Sequence, residues 1–331
     1  MVTKCKSVLY AGGGGRNSAI DIVKFIAAAS IPCLHINLVS TEAGYYICNY
    51  LGRLGVPVFF AISGALLSKS MEKKGSLTAY KQYSIHIGKL LVVWLSIFLP
   101  ILFLKNTFSS FTDFIQRILF MTPALLWYLT ALLFAVVPFC FIKNRKVLYI
   151  LAGLGYLWGT MFSQNYRFIF GNSMTEWYDH IFLTTRNGLL MGLFLMCMGE
   201  LASKIGQKTF FFTHKYFLFI VAFTCLYLEI WFVGNHVDVS TDRSQYFLFP
   251  LFVFTLMVIV LNSKYSTPHS KVLSDISMMI YVMQYGIILI SWFLLKKIGY
   301  SNAVIVWINT IVFPVIFYYL IRETRLMKIL Y

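Results

Sequence analysis

The stretch Ile20-Asp21-Ile22-Val23-Lys24-Phe25-Ile26-Ala27-Ala28-Ala29-Ser30-Ile31-Pro32-Cys33-Leu34-His35 is apolar enough to cross a membrane, yet it carries a lysine and a histidine. Lys24 and His35 are separated by ten residues. On an α-helix that spacing is about three turns, roughly 16 Å, and it returns to the same face. Ala28 and Ile31 lie between them on that face. An ionisable group inside a span is costly and marks a functional site by default, so the stretch reads as the wall of a path through a membrane. Pro32, about one turn before His35, predicts a bend there.

The chain around this stretch is of the same kind. Of its 331 residues 59% are hydrophobic and 12% charged, with a mean hydropathy of +0.74, whereas a soluble domain carries about a quarter charged residues. Apolar runs of spanning length fall near 18–40, 51–68, 85–104, 124–142, 147–163, 186–205, 216–233, 246–262, 275–295 and 302–321. The expected fold is therefore all-α, a polytopic membrane bundle of about ten transmembrane helices. With the N-terminus placed in the cytoplasm, the segments on that side hold 19 basic residues and the opposite segments 8, with Lys24 inside the first span. By the positive-inside rule both termini are expected in the cytoplasm. The net charge of +16 comes from basic residues spread over short loops. It therefore points to membrane lipid, and no nucleic acid partner is expected.

Residues 1–17 are polar and glycine-rich and read as a flexible N-terminal leader, with 18–331 a single transmembrane domain. The leader lacks a signal peptide's apolar core, and no Gly-Lys-Ser/Thr follows Gly12–Gly15 to make a phosphate loop. The six cysteines, Cys5, Cys33, Cys48, Cys140, Cys197 and Cys225, form no Cys-x-x-Cys pair and read as small apolar fillers, with no metal site expected. The run 51–68 carries Gly55, Pro57, Ser63 and Gly64, which predicts close helix contacts or a broken helix. Ser63 reads as a packing residue, because a nucleophile elbow needs a strand–turn–helix setting.

Two readings remain open for each ionisable group of the first span. His35 is a general base for a hydroxyl near neutral pH, or an interfacial histidine bonded to a neighbouring helix. Lys24 snorkels towards the inner interface beside Asp21, or it holds an anionic part of a ligand arriving from the cytoplasm. The external segments 164–186 and 234–245 mix aromatics with Arg167, Glu176, Asp179, His180, His236, Asp238, Asp242 and Arg243, a composition suited to a polar acceptor such as a sugar and equally to a solvated loop.

The pattern Lys24-x10-His35, followed by Arg53-x-x-Val56-Pro57-x-Phe59-Phe60-x-Ile62-Ser63-Gly64, resembles the acyltransferase-3 family of integral membrane acyltransferases. Weaker matches are Leu126-Trp127-Tyr128-Leu129, Thr185-Arg186-Asn187-Gly188 leading to Gly199, and Asp275-Ile276-Ser277 with Ile280-Tyr281, so the resemblance runs from about residue 18 to 321. It implies a multi-pass protein of the bacterial inner or plasma membrane with no bound cofactor. The donor implied is acetyl-CoA or another acyl-CoA reached from the cytoplasm, and the acceptor is a surface glycan or peptidoglycan hydroxyl on the other side. The family's histidine falls on His35, the presumed base, its arginine ten residues earlier on Lys24, and the arginine opening the second span on Arg53. Donor contacts are expected from Asp21, Lys24, Lys73 and Lys74. Acceptor contacts are expected from Arg53, Trp127, Arg186 and Asn187. The chain departs from the family pattern at Lys24, where arginine is usual, and at Leu125 and Gln284, where histidines are common. These departures keep a second class open, a transporter or binding protein for a small solute such as serine.

Overall fold

Asn17 starts the first helix. Its side-chain oxygen accepts from the Ala19 and Ile20 amides at 3.0 and 3.3 Å, which satisfies two of the donors that a helix start leaves open. The computed structural model describes residues 16–36, 42–171, 176–237 and 244–330. Its order is α1 (Ser18–Ser30), a 3-10 turn (Ile31–His35), α2 (Glu42–Lys74), α3 (Ser76–Leu104), α4 (Phe111–Phe120), α5 (Trp127–Phe141), α6 (Arg145–Met161), α7 (Arg167–Phe170), α8 (Glu176–Phe182), a π turn (Gly188–Gly192), α9 (Leu193–Ile205), α10 (Thr209–Gly234), α11 (Phe249–Leu261), α12 (Ser270–Lys297), α13 (Ala303–Ile321) and α14 (Arg325–Leu330). No strand occurs among the described residues.

Each of the ten apolar runs overlaps a helix, and seven of the described helices are long and apolar enough to cross a membrane. The others are shorter. α5 and α11 have 15 and 13 residues, about 22 and 20 Å at 1.5 Å per residue, less than a hydrocarbon core of about 30 Å. The backbone leading into α5 is irregular, with Leu125 on a cavity wall. Non-helical backbone is tolerated at membrane depth where it lines a cavity or is covered by protein.

α2 is the centre of the bundle. In its apolar window 72% of the residues are buried, against 22% in α10, whose large side chains face outward. The run 51–68 lies inside the longest described helix, 33 residues that pass unbroken through Pro57. Its small residues make close contacts. A Cβ on Gly64 would collide with the Met196 carbonyl of α9, and one on Gly199 of α9 would collide with the Ala61 carbonyl of α2. Two backbones can approach this closely only where side chains are absent. α1 packs against α2 and α12, α12 against α13, and α3 against α5. Cys33, Cys48, Cys140 and Cys197 are buried free thiols.

Arg16 and Asn17 belong to the bundle, although their composition groups them with the leader. Arg16 pairs with Asp21 at 2.5 Å, and the Asn17 amide donates to the Val260 carbonyl at 3.1 Å. Residues 1–15 lie outside the described residues, as do Asp238, Asp242 and Arg243.

Candidate active site

Lys24 and His35 face different cavities, which corrects the expectation of one shared face. Pro32 lies in the first turn of the 3-10 segment that takes over from α1 after Ser30, and proline cannot supply the amide that would continue the α-helix. Five residues at about 120° instead of 100° turn His35 roughly 100° away from the Lys24 face. The tighter winding also lengthens the rise between them to about 19 Å.

Lys24 borders a cavity of about 770 Å³ at the basic end of the bundle, together with Arg16, Asp21, Lys69, Glu72, Lys73 and Lys204. Asp21 is 2% exposed. It accepts from Arg16 and, at 2.5 Å, from the Ser270 hydroxyl, so its strongest partner is Arg16 and not Lys24. The Lys24 ammonium donates to Ser274 at 3.5 Å and faces the cavity. Lys73 lines this cavity, whereas Lys74 lies outside the lining and donates to Gln82 at 3.0 Å on the exposed side of α2. Deeper in the same wall a buried carboxylate, Glu200, gathers Arg145, Lys204 and Ser68. Two cations on one buried carboxylate compensate its desolvation and leave little charge for a ligand.

A second chamber of about 180 Å³ follows, walled by Lys24, Ser63, Tyr83, His86, Tyr128, Ser274 and Tyr281 among others. Ser63 has a polar role here besides packing, since its hydroxyl is 3.2 Å from that of Tyr128. Tyr128 and Tyr281 meet edge-on at 5.6 Å between ring centres, with Phe59 beside both. Of these rings, Tyr281 also lines the next cavity.

The third cavity, about 300 Å³, holds His35 with Arg53, Trp127, Arg186, Tyr281 and Gln284. Each part is positioned by its local sequence. Ala124 and Leu125 both adopt left-handed backbone conformations, at φ 58° and 63°, which costs roughly 1–3 kcal/mol for each non-glycine residue. Tyr281 donates its hydroxyl to the Leu125 carbonyl at 2.8 Å and braces this turn, which sets Trp127 at the first position of α5. Asn187 caps the π turn, accepting from the Leu189 and Leu190 amides at 3.0 Å. Gly188 lets that turn settle against the Ala131 carbonyl of α5. Arg186 is thereby laid over Trp127, its guanidinium carbon 4.5 Å from the ring centre. A guanidinium stacked on an aromatic face keeps its planar fork of donors in one orientation. Asn187 itself lies outside the lining, with its amide donating to Tyr178 at 2.6 Å. It is a positioning residue, which corrects its assignment as an acceptor contact.

The three cavities lie in series and share walls. Lys24 and Leu66 border the first and second, and Tyr281 borders the second and third. The rings and hydroxyls of Tyr83, Tyr128 and Tyr281 carry no charge pattern, so a search for ionisable residues passes over them. Their only signal was the Trp127-Tyr128 and Ile280-Tyr281 pairs. Among the described residues no group of three or more His, Cys, Asp or Glu side chains is placed to hold a metal ion.

A sequence profile described as an acyltransferase domain matches residues 17–323. The chain belongs to the acyltransferase-3 family. The match takes in every described helix from α1 to α13 and every cavity-lining residue named above except Arg16. Family membership supports a multi-pass membrane acyltransferase. The chain is also similar to a serine/alanine racemase from Enterococcus gallinarum, at 26% identity over 326 residues. That alignment covers 91% of this chain and 46% of the racemase, so the chain spans about half the length of this relative. No solved structure matches the chain.

Proposed function

We propose that the protein transfers an acyl group, acetyl in the simplest case, from a cytoplasmic acyl-CoA to a hydroxyl on the opposite side of a cell membrane. The carrying observation is the series of cavities from a lysine- and arginine-bordered basin to a histidine cavity within one family domain. The basin suits the phosphates of coenzyme A, with Lys24 and Lys73 as point charges and Asp21 holding Arg16 in place. The narrow middle chamber suits a thin thioester arm. The third cavity suits the acceptor, a surface glycan or peptidoglycan hydroxyl, with Arg53, Trp127 and Arg186 around it.

In the reaction the acceptor O–H loses its proton to the His35 imidazole while its oxygen attacks the thioester carbonyl. An ester C–O bond forms, the C–S bond breaks, and the imidazolium returns the proton to the departing thiolate. The products are the acylated acceptor and free coenzyme A. His35 is exposed within the cavity, which leaves its ring accessible to a bound hydroxyl.

The test is purified protein in detergent supplied with radiolabelled acetyl-CoA and a hydroxyl acceptor, with serine uptake measured in parallel on reconstituted vesicles. Release of coenzyme A with labelled ester, lost in His35→Ala, is expected. Serine uptake without any ester would overturn the proposal.

A further inference from the structure

Pro32 leaves a carbonyl without its usual partner, and a residue far along the chain supplies one. In a 3-10 turn each amide reaches back three residues. The amide that would reach Ala29 is that of residue 32, and proline has none. The next amide, that of Cys33, addresses Ser30 in this register. The Ala29 carbonyl is taken instead by the indole N–H of Trp307 on α13, at 2.9 Å. Trp307 belongs to no part of the family pattern quoted above and lines none of the three cavities.

The same helix holds the other end of the turn. Ile36, directly after His35, is 3% exposed and packs with Val306 of α13 and with Ile288 and Leu295 of α12. Trp307 packs against this cluster. The Asn309 amide donates to the Ser291 hydroxyl at 3.1 Å and ties α13 to α12. α2 receives the turn through two glycines. A Cβ on Gly52 would lie 2.7 Å from the Leu34 side chain, and one on Gly55 2.6 Å from that of Ile31. The turn is therefore seated among three helices, and Trp307 makes a directed polar contact to its backbone.

That contact decides between two windings. If the segment rewound as an α-helix, the Cys33 amide would reach Ala29 and satisfy that carbonyl from within. His35 would then sit roughly 100° round, on the Lys24 face. A hydrogen bond to Ala29 from outside the segment removes the gain from rewinding. Resting on the reading of His35 as the base, we propose that Trp307 is a positioning residue for it. Its indole N–H caps the carbonyl that Pro32 leaves open, and so holds the 3-10 turn that presents His35 to its cavity.

The test uses the full chain in lipid nanodiscs, with histidine isotope-labelled at the ring nitrogens for magnetic resonance. The sequence holds six histidines, and the His35 resonance is the one lost in His35→Ala. Trp307→Phe keeps an aromatic ring and removes the N–H. It is expected to move the His35 resonance and leave the other histidines in place, which a general loosening of the bundle would not do. In the transfer assay kcat should fall about ten- to hundredfold, with the KM for acyl-CoA and for the acceptor each within about twofold of the parent. Pro32→Ala restores an amide to the turn, so the Ala29 carbonyl has a partner within the segment in either winding. Trp307→Phe added to Pro32→Ala should then lower kcat by no more than about twofold further. An unmoved His35 resonance, an unchanged kcat, or the same loss of kcat with and without Pro32 overturns the inference. If Pro32→Ala does not fold, the spectrum and kcat of Trp307→Phe alone decide. A moved His35 resonance in a protein unable to transfer an acyl group would overturn the proposed function and leave the positioning of His35 by Trp307 standing.

Discussion

The two terminal cavities are built on opposite principles. The basin at the basic end is wide and bordered by long flexible cations: Lys24, Lys69, Lys73 and Lys204, with Asp21 and Glu72 among them. Part of its charge is paired, Arg16 with Asp21 and Lys204 with the nearby Glu200. The histidine cavity is less than half the size. It is held by a left-handed turn, a tyrosine brace, a capped π turn and a guanidinium stacked on a ring. Flexible charges in a wide basin attract any polyanion and select poorly. Rigid groups in a small cavity select by geometry. On the proposed function, this difference would place a common donor at the basin and a particular acceptor at the histidine cavity.

The sharpest break of this comparison is at His35. His35→Ala should lower transfer by about 10²–10⁴-fold with expression and melting temperature unchanged, measured as labelled ester per minute. The next effects should separate by cavity. Lys24→Ala should raise the acyl-CoA KM about tenfold and leave the acceptor KM alone, and Lys24→Arg should restore donor affinity. Arg186→Ala should do the converse, raising the acceptor KM about tenfold or more with donor binding unchanged. If either variant shifts both constants equally, the two cavities do not divide the substrates. Tyr281→Phe removes the brace on the Leu125 carbonyl and should cost about 1 kcal/mol of stability, read as a lowered melting temperature with a modest loss of transfer.

The smallest effect is expected from a residue in neither cavity. Asp113 closes a cap at the start of α4, accepting from the Ser109 amide at 2.9 Å while Ser110 accepts from the Asp113 amide at 3.1 Å. The Ser109 hydrogen bond, with help from Arg117, holds the Asp113 carboxyl below its ordinary range. This cap is therefore fully present above the usual carboxylate pKa and is lost only as pH falls through a lower value. Asp113→Ala should speed hydrogen exchange at Ser109 and leave both KM values unchanged.

The bundle was legible because apolar runs and basic loops are properties of composition, and both survive any detail of packing. Helix length was less legible. A run such as 124–142 counts apolar residues but does not record that Ala124 and Leu125 leave the helical region, which shortens α5. The shared face of Lys24 and His35 failed for a similar reason. Pro32 was read as a bend in a continuous helix, whereas it opens a 3-10 segment with a different angular step. The functional groups of the third cavity stood out singly by residue type, but their convergence depends on Gly188 fitting against Ala131, a tertiary contact with no local signature. Gln284 appeared only as a departure from the family pattern. Its partnerless side-chain oxygen is visible only once the helices are packed.

The most direct measurement is a sided transfer assay in sealed proteoliposomes of known orientation, with labelled acetyl-CoA on one face and N-acetylmuramic acid on the other. Labelled ester is expected only when the donor is on the face that carries Lys73 and the acceptor on the face that carries Arg186, and it should vanish in His35→Ala. Equal ester formation with the substrates exchanged, or undiminished transfer by His35→Ala, would contradict a donor-to-acceptor path that runs from the lysine basin to the histidine cavity.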